Sequence, residues 1–159
     1  MEIKAPNSFD STNKLTIFLA GSIEMGAAED WQVKVKNAID TPSRLLLNPR
    51  RDDWDSSWIQ SIDNPQFNEQ VNWELGSMEE AEVIIFYFAP DTKSPISLME
   101  LGLHVKDESK WLFVCCPDGF WRKGNIEILC DRYGRLIWND LDEMLSVLPG
   151  YLEAAEFVL

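Results

Sequence analysis

The run Glu82–Ala89, EVIIFYFA, reads as a strand buried inside a sheet, and Pro90 stops it. It belongs to an alternation that runs the length of the chain. Leu15–Ala20, Arg44–Asn48, Lys110–Cys116 and Gly134–Asn139 are the other strand-like runs. Between and after them, residues 28–39, 66–81, 96–105, 124–133 and 141–157 carry apolar groups at helical spacing. Alternation of this kind predicts a parallel sheet covered on both faces. The expected architecture is a single-domain, three-layer α/β fold of the Rossmann or flavodoxin-like type with five parallel strands. Residues 1–14 read as a flexible N-terminal arm and residues 15–159 as the domain. Residues 49–65, rich in Arg, Asp, Ser and Trp, read as a long loop or a loop with one helical turn.

In open parallel sheets, ligands bind beyond the carboxyl ends of the strands. That rule selects one rim: Gly21 and Ser22, the Asn48–Trp58 loop, Pro90–Ser97 and Pro117–Asn125. The rim is the place to look for chemistry, and composition narrows which chemistry. The 159 residues suffice for a real core, with 45% hydrophobic and 26% charged residues. A net charge of -13 disfavours nucleic-acid polymers and anionic membranes, while leaving a small substrate open. No apolar run approaches membrane-spanning length, and the first 14 residues lack the apolar centre of a signal peptide. These features point to the cytoplasm. Cys115, Cys116 and Cys130 are too few and too irregular for a disulfide framework or a zinc site, and Cys115 and Cys116 suit a buried strand. His104 has no metal-ligand spacing to any other residue. No metal is expected.

Glu100 stands out as the only charge between Lys93 and Lys106, in the apolar segment ISLMELGL. One explanation is a favourable interaction with a helix N-terminus. The other is that a partly desolvated carboxylate at the ligand edge acts as nucleophile or general base. Glu74, in a helix leading to the central strand, is either a solvated helical residue or a second carboxylate for the same site. A pair of that kind suits glycosidic chemistry, in which one carboxylate attacks the sugar while the other handles a proton. The stretch NPRRDDWDSSW offers Asp53 and Trp54 as hydrogen-bonding and stacking groups for a heterocyclic base, with Arg50 beside them. Arg50 and Arg51 could equally pair with the aspartates and brace the loop.

Together these segments resemble the nucleoside 2-deoxyribosyltransferases and their relatives, the deoxynucleoside 5′-monophosphate N-hydrolases. The resemblance extends from about Leu15 to Asn125 and rests on four motifs in order. FLAGS (Phe18–Ser22) resembles the first-strand turn beneath sugar and base, which implies substrate contacts at Gly21 and Ser22. NEQVNWELGSMEEAEVIIF resembles the helix and strand that carry an acidic residue, here Glu74. SPISLMELG resembles the segment with the catalytic glutamate, here Glu100. KGN resembles a segment that reaches a neighbouring subunit's site, which assigns that role to Asn125. Three positions depart from the transferase pattern. Phe18 stands where a tyrosine usually helps to hold the nucleophile, and Glu74 stands for an aspartate. Ser94 occupies a position that is acidic in transferases and serine in the nucleotide hydrolases.

The resemblance implies a retaining, two-step displacement without metal or organic cofactor. Glu100 attacks C1′ of a 2′-deoxynucleoside, the base departs, and a second free base takes the sugar. Glu74 and Asp53 would manage protons and hydrogen bonds on the base, Trp54 would stack on it, and Ser94 with a partner's Asn125 would hold the 5′ end. It also implies a homo-oligomer. Hydrolysis of a 2′-deoxynucleoside 5′-monophosphate is the alternative activity. A reading from another class is a non-catalytic module that binds a nucleotide-like ligand or a protein.

Overall fold

A computed structural model of the protein describes residues 1–23 and 30–157. The elements in chain order are β1 (Glu2–Lys4), β2 (Leu15–Gly21), α1 (Trp31–Ile39), β3 (Arg44–Asn48), α2 (Pro65–Glu80) and β4 (Val83–Tyr87). They continue with α3 (Pro95–His104), β5 (Trp111–Cys115), α4 (Lys123–Arg132), β6 (Ile137–Trp138) and α5 (Leu141–Glu156). The strands form one sheet in the order β1-β3-β2-β4-β5-β6, every neighbouring pair parallel.

The α/β class and the parallel sheet are as the alternation implies; the strand count is six rather than five. The extra strand comes from the expected arm. Glu2, Ile3 and Lys4 pair with Leu46, Leu47 and Asn48, and Lys36 and Asn48 both donate to the Glu2 carboxylate. Three residues with one apolar side chain leave too weak a period to distinguish a short edge strand from a disordered terminus. The expected helix at 28–39 is described from Trp31, because Ala28 and Glu29 lie outside the described residues. Residues 49–64 form a loop without a helix, closed by turns at residues 55–58 and 61–64; α2 begins at Pro65, where Asn64 caps it by accepting from the Phe67 N–H at 2.9 Å.

Two cores flank the sheet because side chains alternate along each strand. Leu15, Ile17, Leu19, Val83, Ile85 and Tyr87 face α1 and α5. Phe18, Ala20, Ile84, Phe86 and Phe88 face the layer to which Met78 of α2, Leu101 of α3 and Ile126 of α4 belong. The direction of winding reverses between β2 and β4. The chain leaves β2 for β3 on one side and returns to build β4, β5 and β6 on the other. The carboxyl ends of β2 and β4 therefore diverge into connections on opposite sides, which opens a crevice there.

Candidate active site

At this crevice Gly21 ends β2 with φ +150°, and a Cβ there would overlap the backbone of Tyr87. Only glycine permits so close an approach of the two strands. The Ser22 N–H donates to the Tyr87 carbonyl at 2.9 Å, and the indole of Trp31 donates to the Ser22 carbonyl at 3.0 Å. This pinning aims the Ser22 hydroxyl across the gap. It accepts from the Ala89 N–H at 2.9 Å and lies 2.8 Å from Thr92 Oγ1 and 2.6 Å from Ser94 Oγ. The Thr92 hydroxyl donates to the Ala89 carbonyl at 2.8 Å, so towards the two serines it acts as acceptor. Ser94 is buried and precedes α3 in a left-handed conformation, φ 43° and ψ 51°, without capping the helix. Such backbone in a residue other than glycine costs about 1–3 kcal/mol and is kept where the surroundings demand it.

Glu100 is the sixth residue of α3 and is 6% exposed. It is a full turn and more from the helix start, where interaction with the helix dipole has faded. The helix-end explanation therefore fails and burial remains. The sequence points the same way, since Ser97, Leu101 and His104, three and four residues away, are buried on the same face. Its carboxylate accepts no hydrogen bond from any described residue. Burial, and secondarily the charge of Glu74, push its pKa up to about 8. Glu74 on α2 is half-buried, and burial raises its pKa to about 7 against the opposing effect of Gln70. Gln70 Nε2 donates to Glu74 Oε1 at 2.7 Å and to the Pro49 carbonyl at 2.9 Å. Two desolvated carboxyl groups, one on α2 and one on α3, thus lie close enough for the charge of Glu74 to bear on Glu100. Both protonation states are within reach near neutrality, as a nucleophile and proton carrier require.

The other expected residues divide into two sets. Arg50 reaches back to α1, with Nη1 3.5 Å from the acceptor Gln32 Oε1 and Nε 3.9 Å from Asp30. Asp53 is 71% exposed and paired with Arg51, whose Nε donates to it at 2.6 Å. Arg51 also pairs with Glu69 and lies 5.0 Å above the Trp58 ring, which meets Trp54 edge-on at 5.1 Å. The bracing explanation thus fits Asp53, while the Trp54 indole N–H, buried without a partner, leaves a donor unused. Asn125 is exposed in the first turn of α4. Phe18 faces the α2–α3 layer and Tyr87 faces α1, 5.4 Å from Trp31, so Tyr87 cannot serve as the absent tyrosine. Gln70, Thr92 and Gln32 escape a reading of the sequence. Only Gln70, one helical turn before Glu74, carries a local signal. Among the described residues no group of three or more His, Cys, Asp or Glu side chains could hold a metal ion.

A cavity of about 240 Å³ lined by Lys110, Trp111, Leu136 and Tyr151 lies at the amino end of β5, at the opposite edge of the sheet. It offers none of this chemistry. No helix of the described residues is long and apolar enough to cross a membrane. No curated protein matches the chain. The family described as nucleoside 2-deoxyribosyltransferase like matches residues 14–120, a span that includes Gly21, Ser22, Glu74, Ser94 and Glu100 and stops before Asn125. With more than half of its length matched, this chain belongs to the nucleoside 2-deoxyribosyltransferase-like family.

Proposed function

We propose that the protein is a cytoplasmic nucleoside 2-deoxyribosyltransferase that exchanges the base of 2′-deoxynucleosides. The observation that carries this reading is the buried Glu100, whose pKa is raised by its burial and by the charge of Glu74. In the first step Glu100, as carboxylate, forms a bond to C1′ while the C1′–N bond breaks and its electron pair leaves with the base. The base takes up the proton held by the carboxyl pair, leaving a deoxyribosyl ester on Glu100 and a carboxylate on Glu74. A second base reverses these events. The Ser22, Thr92 and Ser94 hydroxyls are polar enough to hold the sugar's 5′ oxygen, and Gly21 lets substrate approach the backbone. Arg50 and Trp54 line the loop on the base side.

Incubation with deoxyinosine and free adenine tests this directly, with deoxyadenosine and hypoxanthine as expected products. Release of base only from a deoxynucleoside 5′-monophosphate, with no new nucleoside, identifies an N-hydrolase instead. One feature favours that second reading. Lys93 and Arg122 both stack on Trp121, 4.6 and 4.2 Å from its ring, and the Trp121 indole donates to the Lys93 carbonyl, one residue before Ser94. Cations next to a serine suit a 5′-phosphate in an otherwise acidic protein. Absence of turnover with either substrate supports the non-catalytic module.

We also propose that the enzyme is a homo-oligomer in which Asn125 reaches a neighbour's site. Ile96, Met99 and Leu103 are 56–61% exposed on the helix that carries Glu100, and Ile128 of α4 is 73% exposed. Exposed apolar side chains spaced three and four apart on one helix suit a second protein surface.

A further inference from the structure

The Gln70 carboxamide is buried, and its two ends are treated differently. Its Nε2 serves two acceptors, the Pro49 carbonyl at 2.9 Å and Glu74 Oε1 at 2.7 Å, while its Oε1 is buried with no partner. Turning the amide over would aim its oxygen at two acceptors, so the orientation is dictated by its neighbours. A buried acceptor left unsatisfied is costly, and the donor contacts on the other end outweigh that cost only while both acceptors are in place. Pro49 always accepts. Glu74 accepts best as a carboxylate, because a hydrogen bond to an ionised acceptor is about twice as strong as one to a neutral acceptor.

Resting on the reading of Glu74 and Glu100 as the reactive pair, we propose that Gln70 is a positioning residue that assigns the pair's single negative charge to Glu74. In the substrate-free enzyme it thereby leaves the remaining proton on Glu100. Among the described residues no cation bears on either carboxyl. Arg50 is joined to Asp30 and Gln32, and Arg51 to Asp53 and Glu69. His104, one turn beyond Glu100, is held below its ordinary value by burial and by Lys110. Lys93 of the loop before α3 stacks on Trp121. Glu100 itself receives no hydrogen bond from the described residues, so none of them offsets its burial.

The assignment has a chemical consequence. A protonated Glu100 is not a nucleophile, so the free enzyme is protected from reacting with adventitious electrophiles. With substrate bound, the proton moves from Glu100 to Glu74, and Glu100 bonds to C1′ as a carboxylate while Glu74 gives the proton to the departing base. The glycosidic electron pair goes to the base nitrogen, the ester is neutral, and the negative charge returns to Glu74, where Gln70 holds it. One proton and one charge are conserved through the step. The active form is then the singly protonated pair, and activity against pH is bell-shaped, with limbs that belong to the pair.

The test is an NMR titration of enzyme labelled with 13C at the glutamate carboxyls, from about pH 5 to about pH 10. Glu74→Gln and Glu100→Gln supply the assignments. In the wild type Glu74 should ionise at lower pH than Glu100. In Gln70→Met, which keeps the bulk and removes the donor, the Glu74 transition should move up by about one pH unit. The acid limb of kcat/KM should move with it, while KM stays within about twofold. Glu100 ionising first in the wild type, or an unmoved Glu74 transition in Gln70→Met, overturns the proposal. If Gln70→Met does not fold, the wild-type order decides alone. Retained base exchange in Glu100→Gln overturns the transferase reading instead, and the titration still judges Gln70 independently.

Discussion

Replacing Glu100 with Gln should make the protein more stable, and by an amount that depends on pH. The side chains have nearly the same shape, so the perturbation removes the ionisable group and little else. Glu100 ionises at about 8 in the folded protein against an ordinary 4.5. Below the ordinary value both folded and unfolded chains hold the proton, and the substitution should change stability little. As pH rises from 4.5 the unfolded chain loses its proton first, so the wild type loses stability steadily until the folded group also ionises near pH 8. Each pH unit in that window is worth about 1.4 kcal/mol, which gives an upper figure of about 5 kcal/mol. Glu74 shares the cost of the buried charge, so about 3 kcal/mol is expected at pH 8. That is a large part of the typical 5–15 kcal/mol total. Urea denaturation of both proteins at intervals between about pH 4.5 and pH 9 measures it. Stability curves that run parallel across the whole range would mean that Glu100 is already charged and solvated when folded. The argument for a buried nucleophile would then collapse. The same variant should lose at least about a thousandfold in base exchange.

Four further outcomes follow from the geometry. Gly21→Ala should lower stability by about 3 kcal/mol, read as a drop in Tm, because its Cβ meets the Tyr87 backbone; an unchanged Tm contradicts the close approach of β2 and β4. Ser94→Asp should abolish turnover of any 5′-monophosphate through charge repulsion while sparing nucleosides, and equal losses on both substrates would argue against contact with the 5′ end. Asp53→Asn should change kcat/KM less than about threefold, since Asp53 is exposed and paired with Arg51; a hundredfold loss would restore it to the base site. Met99→Glu should shift the protein to monomer in light scattering, and persistence of the oligomer would place the interface elsewhere than on α3.

Much of the fold was legible in the chain because its strands are buried on both sides. Runs such as Val83–Tyr87 and Arg44–Asn48 are continuous and short, with helical periods between them, and that alternation permits few architectures. The rim could be located for the same reason, since every crossover in a parallel sheet leaves from the carboxyl end of its strand. Within the rim Glu100 was conspicuous as a lone charge in an apolar helix. Local pattern could not show whether Asp53 faces a base or a neighbouring arginine, because the two arrangements differ only in side-chain direction on an irregular loop. Glu2–Lys4 went unrecognised because an edge strand of three residues owes its existence to the β3 backbone, not to its own propensity.

The order of residues along the chain, by itself, determined the layers, the switch point's constituents and the identity of a carboxylate out of place. Tertiary structure alone decided that Glu74 and Glu100 influence one another, that three hydroxyls from two connections converge, and that Gln70 turns its amide toward one carboxylate. The reason is distance. Burial and proximity bring together groups separated by tens of residues, and the resulting pKa values belong to a local dielectric and a set of neighbours that no single segment contains.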